Sequence, residues 1–204
     1  MRTFLRSILA RLKPSQPEVD RTGFDPHAYW LNRGKTYERD FSYDPRYTEQ
    51  ENALGAILGR LDFNSVLEVG CGFGRIGEVV ERLKPGIDYT GLDISPDQLV
   101  GARRRLPNAT LIASPLEDFQ PDRRWDLVLA VEFLLHVPPD RIEDVVAKLK
   151  AMSAGHVVTL DWDTPVKGRI APHNWRHDYQ RWLGPRRVAV STAGIYHWQL
   201  GDAL

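Results

Sequence analysis

Apolar positions recur with two periods along this chain, and the switch between them sets out the elements. "SVLEVG" (Ser65–Gly70) is a short apolar, β-branched run, and helical spacing follows from about Arg75 to Lys84. "DYTGLDIS" (Asp88–Ser95) predicts a second strand, and Ser95-Pro96-Asp97 opens a helix that runs through Arg105. "ATLIAS" (109–114) predicts a third strand, and "RWDLVLAVEFL" (124–134) contains a fourth. A helix over 139–152 and a strand "GHVVTLDW" (155–162) come next. "HNWRHDYQRWLG" (173–184) reads as a helix closed by Gly184. "RRVAVS" and "IYHWQL" end the chain as two strands with Thr192-Ala193-Gly194 between them. Upstream, Asp25–Phe41 predicts a helix with Pro26 just inside its start, and Glu49–Gly59 a second one.

Alternation of strands and helices predicts an α/β fold with a doubly wound, mostly parallel seven-stranded sheet. The final pair, joined only by a turn, predicts a C-terminal hairpin with one antiparallel strand. In such sheets ligands bind beyond the carboxyl ends of the strands, near the point where the winding reverses. Residues 21–204 are expected to form one domain with cap helices in 21–60, preceded by an amphipathic helix and linker over 1–20. In that N-terminal stretch Phe4, Leu5, Ile8, Leu9 and Leu12 share a helical face, flanked by Arg2, Arg6, Arg11 and Lys13. A core-packed helix and a peripheral contact of residues 1–13 with an anionic membrane both suit this pattern.

The 204 residues carry 27 basic and 27 acidic side chains, so nothing in the charge balance asks for nucleic acid. One cysteine, Cys71, excludes an intramolecular disulfide and suits a reducing, cytoplasmic setting. No apolar run approaches the roughly 20 residues of a membrane span.

Chemistry concentrates in "LEVGCGFGRIG" (Leu67–Gly77). Gly72, Gly74 and Gly77 read as the dinucleotide fingerprint G-x-G-x-x-G, whereas Gly70, Gly72 and Gly74 alternate behind Glu68. Glu68-x-Gly70-x-Gly72-x-Gly74 resembles the first motif of the Rossmann-like (class I) S-adenosylmethionine-dependent methyltransferases. "WDLVLAVEFLLHVP" resembles that family's fourth strand and following loop, and the terminal hairpin its last two strands. The resemblance implies S-adenosyl-L-methionine as cofactor, held by Glu68, Gly70, Cys71, Gly72 and Gly74. It also implies that Asp93, with Ile94, receives the ribose hydroxyls. An acid that many members place after the third strand to bond the adenine is replaced here by Ser114, so Leu116 and Glu117 become candidates for that contact. Val131 at the end of the fourth strand completes the set. Arg33 would pair with the cofactor's carboxylate, or form a surface ion pair with Glu38 or Asp40.

Methyl transfer from a sulfonium is an in-line displacement that needs placement and exclusion of water. A hydroxyl acceptor also benefits from a general base. His136, after the fourth strand, and His177, with Asp178 beside it, are the catalytic candidates. His173 and His177 share a face if the helix begins that early. The end of the fourth strand reads Ala130-Val131-Glu132-Phe133, without the Asn/Asp-Pro-Pro-Tyr tetrad of enzymes that methylate DNA bases. No metal is assigned, although Glu132, Asp161 and Asp163 at strand ends would suit Mg²⁺. The segment "DWDTPVKGRIAPHNWRHDYQRW", dense in Trp, His and Asp, suits a small polar acceptor such as a sugar or glycan hydroxyl. A non-catalytic partner or sensor protein that binds the cofactor and a nicotinamide-dependent oxidoreductase remain the alternatives, and oligomeric state stays open.

Overall fold

The structure, a computed structural model, describes residues 19–41, 44–163, 170–190 and 193–201. The amphipathic segment, most of its linker and part of "DWDTPVKGRIAP" lie outside the described residues. Seven strands form one sheet in the order β3-β2-β1-β4-β5-β7-β6. They are β1 Ser65–Val69, β2 Asp88–Asp93, β3 Thr110–Ala113, β4 Trp125–Val131, β5 Ser153–Trp162, β6 Val188–Val190 and β7 Ala193–Gln199. The first five pair in parallel, and β7 runs antiparallel to both β5 and β6. This is the α/β architecture expected from the sequence, with the winding reversal between β1 and β4.

Two apolar layers sandwich the sheet, and alternation along β4 feeds both. Leu127, Leu129 and Val131 face one core with helices α2 (Pro45–Leu58) and α3 (Arg75–Leu83). Val128 and Ala130 face the other with α5 (Ile142–Met152) and the short α6 (Gln180–Leu183). Helix α4 (Pro96–Arg105) packs Leu99 and Ala102 beside Cys71. Ser95 caps α4 and Pro96 occupies its first turn, the start signal that the sequence carries.

Several boundaries differ from expectation: the helix expected over 139–152 begins at Ile142, β5 begins at Ser153, and three further differences have local causes. Helix α2 starts at Pro45, because Asp44 caps it and accepts from Arg46 N; the proline after a capping acid is its true start signal. Ala193 and Gly194 belong to β7. The stretch 173–178 is not helical, so His173 and His177 do not share a helix face; only Gln180–Leu183 winds up before Gly184.

Helix α1 (Pro26–Phe41) caps the sheet's carboxyl end. Its one buried residue, Gly34, lies against the cap of α4: a Cβ there would overlap the Ser95 side chain, with Ser95 Cβ 2.7 Å away. One turn on, Glu38 accepts from Arg104 at 2.7 Å and also from Arg105. The stretch before α1 is tied to the 171–177 segment, where Arg21 donates to Pro172 O at 3.0 Å and Asn174 O at 2.7 Å. G34V should therefore lift α1 off α4. Overpacking of this kind costs about 1–3 kcal/mol, so thermal unfolding followed by circular dichroism is expected to show a melting point lower by several degrees.

Candidate functional site

The glycine turn after β1 is shaped by backbone that only glycine adopts without strain. Gly70, Gly72 and Gly74 have φ of +72°, +54° and +87°. At Gly70 space is short as well, since a Cβ would lie 2.7 Å from Cδ2 of Phe133. Leu92 O accepts from Gly70 N at 2.8 Å and from Cys71 N at 3.0 Å, which pins the turn to β2. Asp93 completes the lock: its Oδ2 accepts from Gly72 N and its Oδ1 from Ser95 N, both at 2.8 Å. Burial raises the Asp93 carboxyl, and these two N–H groups oppose that rise.

Above the turn opens a cavity of about 700 Å³. Of the residues that the resemblance assigns to the cofactor, Glu68, Gly70, Cys71, Gly72, Asp93, Ile94, Ser114, Leu116, Glu117 and Val131 all line it. Gly74 and Arg33 do not. Gly74 sits at the start of α3, with the Ala102 backbone 3.0 Å from where its Cβ would be. Arg33 forms the alternative ion pair, to Asp40 at 2.7 Å, and lies over the rings of Tyr37 and Phe41. At the β3 end of the cavity the Ser114 hydroxyl donates to Pro115 O, and Glu117 pairs with His27 at 2.9 Å.

The two histidines part company. His136 follows β4 in a single 3₁₀ turn (Leu134–His136), lines the cavity and donates from Nδ1 to His173 O at 3.0 Å. Burial pushes its pKa down to about 3. His177 donates from Nε2 to Val137 O at 2.9 Å and is not among the cavity-lining residues; Asp178 beside it is exposed and also outside the lining. The carboxylates considered for Mg²⁺ separate too. Asp161 is fully buried and accepts from Leu135 N at 3.1 Å, which holds the turn that carries His136. Asp163 takes the Tyr196 hydroxyl and Arg186, both at 2.9 Å. Among the described residues no group of three or more His, Cys, Asp or Glu side chains converges as a metal would need.

Tyr37, Tyr47 and Arg75 line the cavity without having been singled out in the sequence, and Glu132, considered there only as a metal ligand, has a different setting. Glu132 is the only described non-glycine residue with positive φ, +50°. Such backbone costs on the order of 1–3 kcal/mol and persists only where its surroundings enforce it. Its Oε1 accepts from Gln50 at 3.0 Å, and Arg75 lies 3.8 Å from Oε2. Arg75 also donates to Gln50 and covers the Tyr47 ring at 3.8 Å, while the Tyr47 and Tyr37 hydroxyls meet at 3.3 Å. Tyr47 and Gln50 lie on the first turns of α2, which the Asp44-Pro45 start signal would have revealed. Gln98 Oε1 is buried without a partner beside Gly72. Trp30 from α1 lines the cavity and meets His136 edge-on at 4.5 Å.

Glu68 lies beneath the turn, fully buried, and accepts a 2.5 Å hydrogen bond from the Tyr89 hydroxyl. Burial drives its pKa up to about 8. A carboxyl raised from 4.5 stabilises the fold below the unfolded-state pKa, and that contribution is lost as pH climbs through about 8. His136 and His177, whose pKa values are lowered, act in the opposite sense, and only below about pH 6.5. From Glu68 alone the stability of the wild type should fall between pH 6.5 and 8 with a slope approaching about 1.4 kcal/mol per pH unit, and the raised Asp161 carboxyl acts in the same sense. E68Q should flatten that slope in urea unfolding measured across the same window.

Residues 67–154 match a family described as a methyltransferase domain. A trans-aconitate 2-methyltransferase of Escherichia coli is 30% identical over 154 residues, covering 72% of this chain and 59% of its own length. The chain spans about half the length of the curated relatives it matches, from 40% to 59%. Magnesium protoporphyrin IX methyltransferase of Synechocystis, solved with S-adenosylhomocysteine, superposes with a TM-score of 0.70 over 88% of this chain and 99% of its own; at 17% identity the likeness is one of fold. An amino pentose methyltransferase of Micromonospora echinaspora with bound S-adenosylmethionine shares 25% identity at a TM-score of 0.54, over 64% of this chain and 57% of its own.

Proposed function

We propose that this chain, a class I S-adenosylmethionine-dependent methyltransferase in its fold and matched domain, moves a methyl group to an oxygen of a small polar acceptor such as a sugar or glycan hydroxyl. The observation that carries the reading is the Asp93 carboxylate locked at the end of β2 beside the left-handed glycine turn, both facing one cavity. These groups fit the cofactor. Asp93 offers acceptor lone pairs to two ribose hydroxyls, the close backbone of Gly70–Gly72 admits the methionyl portion, and Ser114 to Glu117 border the adenine end. When bound, S-adenosylmethionine supplies a methyl carbon activated by a sulfonium.

The chain's own residues then have to orient the acceptor and exclude water. Trp30, Tyr37 and Phe133 give the cavity aromatic walls, and Glu132 and Arg75 give it polar contacts. Of the two candidate histidines, His136 is the one on the cavity wall, with Nδ1 committed to His173 O. Its low basicity favours a second reading. A carboxylate acceptor needs no base, Arg75 would recognise it, and relatives named for trans-aconitate share this domain.

Calorimetric titration is expected to show micromolar binding of S-adenosylhomocysteine and none of NADH; the reverse would return Gly72, Gly74 and Gly77 to the dinucleotide fingerprint. D93N should weaken S-adenosylhomocysteine binding at least about tenfold, because hydrogen bonds to a charged acceptor contribute about 1.5–3 kcal/mol each. Transfer of a labelled methyl group to a panel of sugars and polycarboxylates separates the two acceptor classes. Binding with no turnover on any panel member would favour the non-catalytic partner or sensor.

A further inference from the structure

The strand order assigns places along the cavity. Ser114 to Glu117 follow β3, Asp93 ends β2, the glycine turn follows β1, and Glu132 follows β4, in the spatial sequence β3-β2-β1-β4. If the ribose lies on Asp93, the adenine extends towards β3, and the sulfur with its methyl group extends past the glycine turn towards β4. Glu132 is the lining carboxylate that directly follows β4, whereas Asp140 and Asp144 line the cavity farther along the chain.

Three features mark Glu132 as more than a loop residue. Its backbone is held at φ +50°, where a glycine would be unstrained. Its peptide N–H is tied to Leu160 O at 2.6 Å, so the strained conformer is anchored to β5. Its side chain is gripped by Gln50 and Arg75, which come from two different helices. The fold thus fixes the Glu132 carboxylate in the cavity wall, with one oxygen hydrogen-bonded and the other 3.8 Å from the nearest guanidinium nitrogen.

We infer that Glu132 reads the charge on the cofactor's sulfur: its carboxylate faces the sulfonium of S-adenosylmethionine and favours that cation over the uncharged thioether of S-adenosylhomocysteine. This rests on the cofactor reading proposed above. Methyl transfer removes the positive charge from sulfur, so the same carboxylate that attracts the substrate form of the cofactor ceases to hold the product form. Partial compensation by Arg75 limits the effect without removing it, since Arg75 also donates to Gln50 and lies 3.5 Å from Glu51.

The test is a pair of dissociation constants, for S-adenosylmethionine and for S-adenosylhomocysteine, measured by calorimetry on the wild type, E132Q and E132M. A charge pair across a few ångströms of partly buried cavity corresponds to about a tenfold effect after screening. E132Q, which keeps the shape and the contact with Gln50, is expected to shift the ratio of the two constants about tenfold against S-adenosylmethionine. Its S-adenosylhomocysteine affinity should stay within about twofold of the wild type. E132M should do the same, and a cooperative melt of each variant establishes that it is folded. An unchanged ratio in either folded variant overturns the inference, as does an equal loss of both ligands, which would make Glu132 a structural prop. Failure of the wild type to bind either ligand would overturn the cofactor reading and this inference together.

Discussion

The Asp93 carboxylate is the interaction on which the site depends. It bonds Gly72 N and Ser95 N, so one side chain fixes the glycine turn and the first turn of α4 at once. Ser95 in turn accepts from Gln98 N to cap α4, and its side chain is the surface on which Gly34 of the cap helix rests. The order of dependence runs from the end of β2 to the glycine turn, to α4 and to α1, which roofs the cavity. A carboxylate already bonded to two backbone N–H groups is also pre-oriented, so little side-chain entropy is left to lose when a ligand arrives.

Two further buried carboxylates sit near the carboxyl ends of β1 and β5. Glu68 accepts from Tyr89 below the turn, and Asp161 accepts from Leu135 N at the end of β5. Burial raises both carboxyls, Asp161 well above the usual carboxylate range. Removing such groups from water is unfavourable unless they are hydrogen-bonded; Asp161 is bonded to the backbone of the loop after β4, and Glu68 to the Tyr89 side chain. The 3₁₀ turn bearing His136 and the left-handed residue Glu132 lie on the loop that Asp161 fastens.

Much of this was legible in the chain. The β-branched runs gave all seven strands, and Ser95-Pro96 gave the start of α4, because local chemistry alone decides these features. The glycine spacing and Asp93 located the cavity, because few residue types tolerate those backbone angles. The helix expected over 173–184 was less legible. Its spacing suits a helix, but 173–178 is held against the loop after β4 by tertiary bonds, from Trp175 N to Leu135 O and from His177 to Val137 O. The same bonds take His177 away from the cavity. Arg33 was ambiguous because Asp40, seven residues on, competes for it, and proximity along α1 prevailed. The cluster of Tyr37, Tyr47, Gln50, Arg75 and Glu132 leaves no periodic signal, since it assembles from four separate elements.

The most direct test of the central claim is a crystal structure of the protein with S-adenosylhomocysteine. The ribose hydroxyls should lie within hydrogen-bond distance of the Asp93 carboxylate. The adenine should lie against Ile94 and Ser114 to Glu117, and the sulfur should lie between the Gly70 turn and Glu132. Ligand density elsewhere on the molecule, or a ribose that bypasses Asp93, would contradict the assignment of this cavity to the cofactor.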